Sequence, residues 1–229
     1  MKGFDRNIKF SLMWVKKISI YTYVTALAFE LWFWLLGITE VHTVKDFCMN
    51  YITYAVFSGV LFMFLYFAVN MVTVFDQIVS YGCTRKCAAL GMVCTNVLTS
   101  LFQLAVNLVI YAVFSIIFGG NIFTAGLIMM CINIYLIVTA ISPLAGLAVF
   151  ACGKIGYYII IMGSCGALGG CMGTIIGQIE DGNVKLFSLI SNYLASVSVN
   201  MIVTPIAIVV IVLTTVLLVK VTARTEVRG

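Results

Sequence analysis

Charged side chains are scarce in this sequence. Aspartate, glutamate, lysine and arginine together make up 9% of the 229 residues, whereas a soluble domain carries about a quarter. Hydrophobic residues make up 63%, and the mean hydropathy is +1.15. A soluble fold cannot hide this much apolar surface. We therefore expect an all-α, polytopic membrane protein, a single transmembrane domain over residues 1–229, with no nucleic-acid partner.

Proline and histidine are also rare. The two prolines leave room for long uninterrupted helices. The eight cysteines lie mostly in apolar stretches, where cysteine behaves as a small hydrophobe. Cys83 and Cys87 resemble half of a metal site, but structural zinc needs four such ligands. The single histidine, His42, is expected on the other side of the membrane, so we expect reduced thiols and no metal.

Residue sets for catalysis within a membrane are missing as well. A serine protease needs a buried serine and histidine, and a metalloprotease needs several histidines. The sequence has no paired carboxylates within an apolar segment and no phosphate-binding GxxxxGK[ST] loop. We therefore expect no catalytic residue, no enzyme activity and no cofactor on this chain.

Six apolar segments reach the roughly 20 residues that a membrane-spanning helix needs. Eleven of the thirteen lysines and arginines fall at one side of these segments, which predicts that both termini and that side are cytoplasmic. Lys45 and Lys185 are the exceptions, and residues 178–197 form a modest outer loop. The predicted spans are 18–38, 52–74, 93–118, 123–149, 157–179 and 198–219.

Residues 1–17 combine a basic composition with a helical apolar pattern. Phe4, Ile8, Leu12 and Val15 follow one another at spacings of four, four and three residues. The pattern predicts an amphipathic helix at the inner membrane interface. A plain basic flank that sets the topology is the alternative.

The fifth predicted span is rich in glycine. Small residues four positions apart let two helix backbones approach closely in a membrane. The glycine face should meet another helix, either within the chain or in a second copy, and the sequence leaves both open. These glycines are Gly166, Gly169, Gly170, Gly173 and Gly177.

Some polar side chains lie inside the apolar segments. Glu30 is past the middle of the first span, towards the outside. A carboxylate at the outer interface is one interpretation, and a group that lines a cavity or binds the cationic part of a substrate is the other. Amides in spans line a pore or, more often, join helices by hydrogen bonds. Those amides are Asn70, Gln103, Asn107, Asn133 and Asn200.

The main polar break is the stretch FDQIVSYGCTRKCAALG at residues 75–91. Gly82 suits the end of one helix, and Thr84 suits the N-cap of the next. Arg85 and Lys86 fall in that helix's first turn, where cations oppose the helix dipole. Anionic lipid, an acidic partner or the topology rule explains them instead.

With this turn, the chain resembles the membrane subunit of a bacterial ABC exporter of the ABC-2 type. Such subunits have six spans, cytoplasmic termini, an amphipathic N-terminal helix and a cytoplasmic coupling helix between spans two and three. A turn similar to YGCTRK, with Ser or Thr before Arg-Lys, is common among them. The resemblance implies a coupling segment over residues 76–90, whose docking residues are Asp76, Gln77, Ile78, Tyr81, Gly82, Thr84, Arg85 and Lys86.

The same resemblance implies partners and a mechanism. A separate ATPase subunit would hold ATP and Mg, and a second membrane subunit, the same chain or a paralogue, would complete the path. The pair would export an amphipathic peptide, such as an antimicrobial peptide, a lipid or a drug across the bacterial cytoplasmic membrane by alternating access. The competing interpretations are a six-span substrate-binding component of a vitamin importer and a stand-alone channel.

Overall fold

The computed structural model of the chain describes residues 2–37, 42–73, 75–80, 82–118, 125–153, 155–156, 158–164, 166, 193 and 196–224. Helices are the only regular secondary structure in these residues, which confirms the all-α prediction. Residues 155–156 and 158–164 are helical and carry no label here. The labelled helices are α1 (Lys2–Leu35), α2 (Val44–Thr73), α3 (Phe75–Ser80), α4 (Arg85–Ile117), α5 (Ala125–Cys152) and α6 (Val197–Arg224).

Five of these helices are long and apolar enough to cross a membrane. Each coincides with one predicted span, which confirms the multi-pass character of the chain. The sixth predicted span, 157–179, lies mostly outside the described residues, so the number of spans stays a prediction. The five apolar stretches are Leu12–Leu35, Val44–Phe67, Arg85–Ile117, Ala125–Cys152 and Val197–Thr222.

The N-terminal segment and the first span form one continuous helix. α1 runs from Lys2 to Leu35 without a break, so the segment expected as a separate interfacial helix is helical but not separated. Its 34 residues extend over about 51 Å at 1.5 Å per residue. Because a bilayer core is about 30 Å thick, α1 is longer than one crossing requires.

Helices α5 and α6 run in the same direction. Near their starts, the Asn200 amide donates to Asn133 Oδ1 at 2.8 Å. Near their ends, Leu218 of α6 belongs to a cluster that also contacts Phe150 of α5. That cluster contains Cys83, so both helices end at the end of the bundle where residues 82–84 lie, the turn end. The chain between Cys152 and Val197 must therefore return along the length of the bundle.

Helix α4 packs against α1, α2, α5 and α6 and occupies the centre of the described bundle. Its buried face is largely polar and its exposed face is apolar, the reverse of a helix in a soluble protein. This distribution fits a helix whose outer surface contacts lipid. The buried polar residues are Thr95, Asn96, Thr99, Ser100, Gln103 and Asn107, and the exposed apolar ones include Leu98, Leu101, Phe102, Val109, Val113 and Ile116.

Candidate functional site

The turn between α3 and α4 has the cap geometry that the sequence predicts. Gly82 takes a φ of 84°, and its N–H donates to the Val79 carbonyl at 3.0 Å. Thr84 is the N-cap of α4, and its hydroxyl accepts from the Cys87 N–H at 3.3 Å. A left-handed glycine ends one helix and a threonine begins the next, so the chain reverses direction within three residues.

The short helix α3 is anchored inside the turn end of the bundle. Phe75 and Ile78 are buried, and the Phe75 ring meets the Phe150 ring of α5 edge-on at a centroid distance of 5.6 Å. Together they belong to an apolar cluster, the turn-end cluster, that connects α3 with α2, α4 and α6. Its buried members are Phe67, Phe75, Ile78, Cys83, Ala88, Ala89, Met92, Val93 and Leu218.

The predicted coupling residues divide between the cluster and the surface. Gly82, Thr84 and Lys86 are exposed and Arg85 is half-buried, so these four form the accessible side of the turn. Ile78 faces the bundle and is not available to a partner. The side chains of Asp76 and Gln77, and all of Tyr81, lie outside the described part of the structure.

Burial also controls the thiols of the turn. Cys83 is buried, and this burial raises the pKa of its thiol above the ordinary value, with a further contribution from its hydrogen bond with Cys87. Among the described residues, no group of three or more His, Cys, Asp or Glu side chains is placed to hold a metal ion.

A second cluster of polar groups lies halfway along the bundle. Tyr23 of α1 donates to Asn107 Oδ1 at 3.1 Å, and the Asn107 amide donates to the Tyr135 hydroxyl at 2.7 Å. The Gln103 amide donates to the Thr22 hydroxyl at 3.0 Å. These five residues, the central polar layer, join α1, α4 and α5.

The amides considered as pore-lining groups therefore bond mainly to other helices. Gln103 and Asn107 contact α1 and α5, and Asn133 pairs with Asn200 of α6. Asn70 instead donates to the Tyr66 carbonyl of its own helix at 2.8 Å. This confirms the helix-joining interpretation for four of the five amides.

The sequence did not reveal Thr22, Tyr23 and Tyr135 as partners of these amides. The available signal was the spacing of Asn96, Gln103 and Asn107, which places three amides on one face of α4. A polar face on an apolar helix must meet polar groups on its neighbours. Which groups these are depends on the rotation of α1 and α5, and an apolar sequence specifies that rotation poorly.

Glu30 is fully buried between α1 and α2, so it is not the interfacial carboxylate that the sequence also allowed. Its exposed fraction is 0%, and neither carboxylate oxygen makes a hydrogen bond of standard geometry with a described residue. Its polar neighbours are Asn50 and Tyr54, which lie one turn apart on α2. The structure thus places a carboxylate in an apolar span without a counter-charge among the described residues.

Of the glycine face on the fifth predicted span, only Gly166 is described. It is helical and exposed, and a Cβ at this position would meet nothing within 4 Å. Gly169, Gly170, Gly173 and Gly177 lie outside the described residues, so the packing role of this face stays a prediction.

Comparisons with protein-family models, with curated proteins and with solved structures found no match to this chain. The resemblance to ABC-2 exporters therefore depends on the layout of the spans and on the residues of the turn. What the structure itself establishes is an all-helical chain with five helices able to cross a membrane, and a capped turn anchored at one end of them.

Proposed function

We propose that this chain is the membrane-spanning subunit of an ABC-2 type exporter in the bacterial cytoplasmic membrane. The observation that carries the proposal is the position of α3, which is buried on the bundle side and bears the exposed turn Gly82–Lys86 on the other. This is the arrangement that a coupling element needs. A partner holds the outer side, and the inner side passes the movement to the spans.

The turn-end cluster supplies the mechanical connection. Phe75 and Ile78 contact residues from the ends of other helices, and close-packed interiors transmit displacement because they have little free volume. A shift of α3 would therefore move the turn ends of α2, α4 and α6 together. Alternating access requires this kind of concerted movement at one side of the membrane.

The charges of the turn favour an acidic partner surface. Arg85 and Lys86 occupy the first turn of α4, where they oppose the helix dipole. Because helix stability does not explain them, a groove with acidic residues on a separate ATPase subunit is the partner proposed here. ATP and Mg would be bound by that subunit, and this chain would contribute no catalytic group.

The parallel direction of α5 and α6 supports a sixth crossing. Both helices end at the turn end, so the chain between them returns through or along the apolar thickness of the bundle. A span at 157–179 would provide that return, and it would place both termini in the cytoplasm as the distribution of lysine and arginine predicts. A second membrane subunit would then complete the transport path.

Co-purification tests this function. The tagged chain is expressed in its native host, solubilised in a mild detergent, and its partners are identified by mass spectrometry. We expect an ATPase subunit in stoichiometric amount with the wild type, and at least a tenfold loss in the double variant Arg85→Glu, Lys86→Glu. Glutamate in the first turn favours the helix dipole, so a weakened α4 would not explain that loss.

The matched control is the double variant Lys16→Glu, Lys220→Glu, which makes the same change in net charge at two other exposed lysines. This variant should retain the ATPase. A wild-type chain that purifies without any ATPase would contradict the proposed function, and so would a turn variant that keeps both the ATPase and transport.

A further inference from the structure

Glu30 is the polar group whose surroundings in the structure leave most to explain. A carboxylate that is withdrawn from water costs several kcal/mol unless a cation or hydrogen bonds compensate it. Neither oxygen of Glu30 has such compensation from the described residues. Asp46, at the same end of the bundle, is different, because it accepts hydrogen bonds from the Thr43 N–H at 3.0 Å and hydroxyl at 2.8 Å. Asp46 has a structural role as a helix cap, whereas Glu30 has none in the described structure.

A cleft opens one helical turn beyond Glu30. Trp34 follows Glu30 by four residues on α1, and Phe47 precedes Asn50 by three residues on α2, so each pair shares a helix face. Trp34 and Phe47 line this cleft, which has a volume of about 320 Å³. The other lining residues are His42, Thr43 and Val44. The cleft lies at the end of the bundle opposite the turn end.

Aromatic rings surround the approach to the carboxylate. Phe33 stacks on Phe29 at a centroid distance of 6.1 Å and contacts the Tyr54 ring at 5.4 Å. Trp34 is half-exposed at the cleft. Aromatic faces attract organic cations, and indole does so most strongly. An anion would be repelled by Glu30, and a metal ion would need several further ligands, which the described residues do not supply here.

We propose that Glu30 and the adjacent cleft bind the positively charged group of a lipophilic organic cation. The carboxylate neutralises the charge, Asn50 and Tyr54 supply polar contacts, and Trp34 and Phe47 contact the apolar part. This inference deepens the proposed function, because it identifies a lipophilic cation as the class of amphipathic substrate. The binding step itself requires only this chain.

Equilibrium dialysis with radiolabelled tetraphenylphosphonium tests the site. The purified full chain is kept in dodecylmaltoside micelles, which carry no charge, and binding to protein-free micelles is subtracted. We expect saturable binding by the wild type and at least a tenfold weaker affinity for Glu30→Gln, which keeps the shape of the side chain and removes its charge. Glu30→Asp should bind more tightly than Glu30→Gln, because it retains the charge.

Tetraphenylborate, an anion of nearly the same shape, is the matched probe. It should show no difference between the wild type and Glu30→Gln. If Glu30→Gln fails to fold as judged by size-exclusion chromatography, Trp34→Leu decides, because this half-exposed residue can change without opening the core. Trp34→Leu should weaken tetraphenylphosphonium binding several-fold.

Three results would overturn the proposal: no saturable cation binding by the wild type, equal affinity in Glu30→Gln, or equal affinity in Trp34→Leu. Because dialysis uses the chain without an ATPase, the outcome is separate from the co-purification test. Cation binding without an ATPase partner would leave the site and remove the exporter assignment. An ATPase partner without cation binding would do the opposite.

Discussion

At the scale of the residue, Gly59 marks the closest approach of α2 to the central polar layer. A Cβ at this position would lie 2.7 Å from both Gln103 Oε1 and the Tyr135 hydroxyl. Both side chains are fully buried and held by hydrogen bonds, so neither can move aside cheaply. We expect Gly59→Ala to destabilise the folded chain by about 1–3 kcal/mol, the usual cost of overpacking. Thermal unfolding in detergent measures the effect.

Gly163→Ala is the matched control, because Gly163 is also helical and a Cβ there would meet nothing within 4 Å. Alanine is the better helix former, so this change should leave the midpoint temperature unchanged or raise it slightly. Equal destabilisation by both variants would show that the contact between α2 and the polar layer is not as close as described.

Cys83 gives a second prediction at this scale. The thiolate is the form that reacts with maleimides, and the raised pKa of the buried Cys83 thiol keeps it protonated at pH 8. N-ethylmaleimide should therefore modify the exposed Cys152 at least tenfold faster than Cys83, as followed by peptide mass spectrometry. The rate at Cys83 should keep rising above pH 9 as the thiolate forms. A Cys83 that reacts as fast as Cys152 at pH 8 would contradict its burial.

At the scale of the element, α4 depends on its cap. Thr84 accepts the Cys87 N–H, so Thr84→Ala leaves that amide without its partner and should cost about 1 kcal/mol. Thr84→Ser keeps the hydroxyl and should retain most of the stability. Urea unfolding followed by circular dichroism compares the two variants, and an equal loss in both would show that the hydroxyl is not the cap.

The contact between α5 and α6 is testable by a double-mutant cycle. Asn133 and Asn200 share a hydrogen bond of 2.8 Å, so Asn133→Ala and Asn200→Ala should not be additive. We expect a coupling energy of about 0.5–1.5 kcal/mol, the range for hydrogen bonds between membrane helices. A coupling of zero would mean that α5 and α6 do not run side by side in this register.

At the scale of the whole molecule, the direction of the helices fixes which residues share a side of the membrane. Thr43 lies between α1 and α2, and Lys86 lies at the turn end, so the two are expected on opposite sides. In a chain without its native cysteines, Thr43→Cys should react with a membrane-impermeant maleimide on intact cells. Lys86→Cys should react only after the membrane is opened.

The same labelling checks the proposed sixth span. Lys220→Cys, near the end of α6, should behave like Lys86→Cys, because Leu218 packs in the turn-end cluster. Reaction of the Lys220 variant on intact cells would contradict the parallel arrangement of α5 and α6. Reaction of both the Thr43 and Lys86 variants from the same side would contradict the antiparallel order of α1, α2 and α4.

Much of this protein was predictable from local sequence. The apolar stretches predicted five of the five described spanning helices, because crossing a membrane imposes a length and a composition that single segments reveal. Gly82 and Thr84 were predictable as caps, because cap chemistry depends on residues that are close in sequence. Helix ends were placed less well: α4 begins at Arg85, eight residues before the predicted start, since a helix can continue past its apolar part.

The sequence by itself determined the helical class, the apolar outer surface and the capped turn, each of which follows from neighbours along the chain. Only the tertiary structure decided that α3 is anchored beneath the turn, that the amides of α4 meet Thr22, Tyr23 and Tyr135, and that Glu30 is buried. These features depend on how helices distant in sequence rotate and pack. In a chain that is apolar on nearly every face, that rotation is set by the few polar contacts between helices.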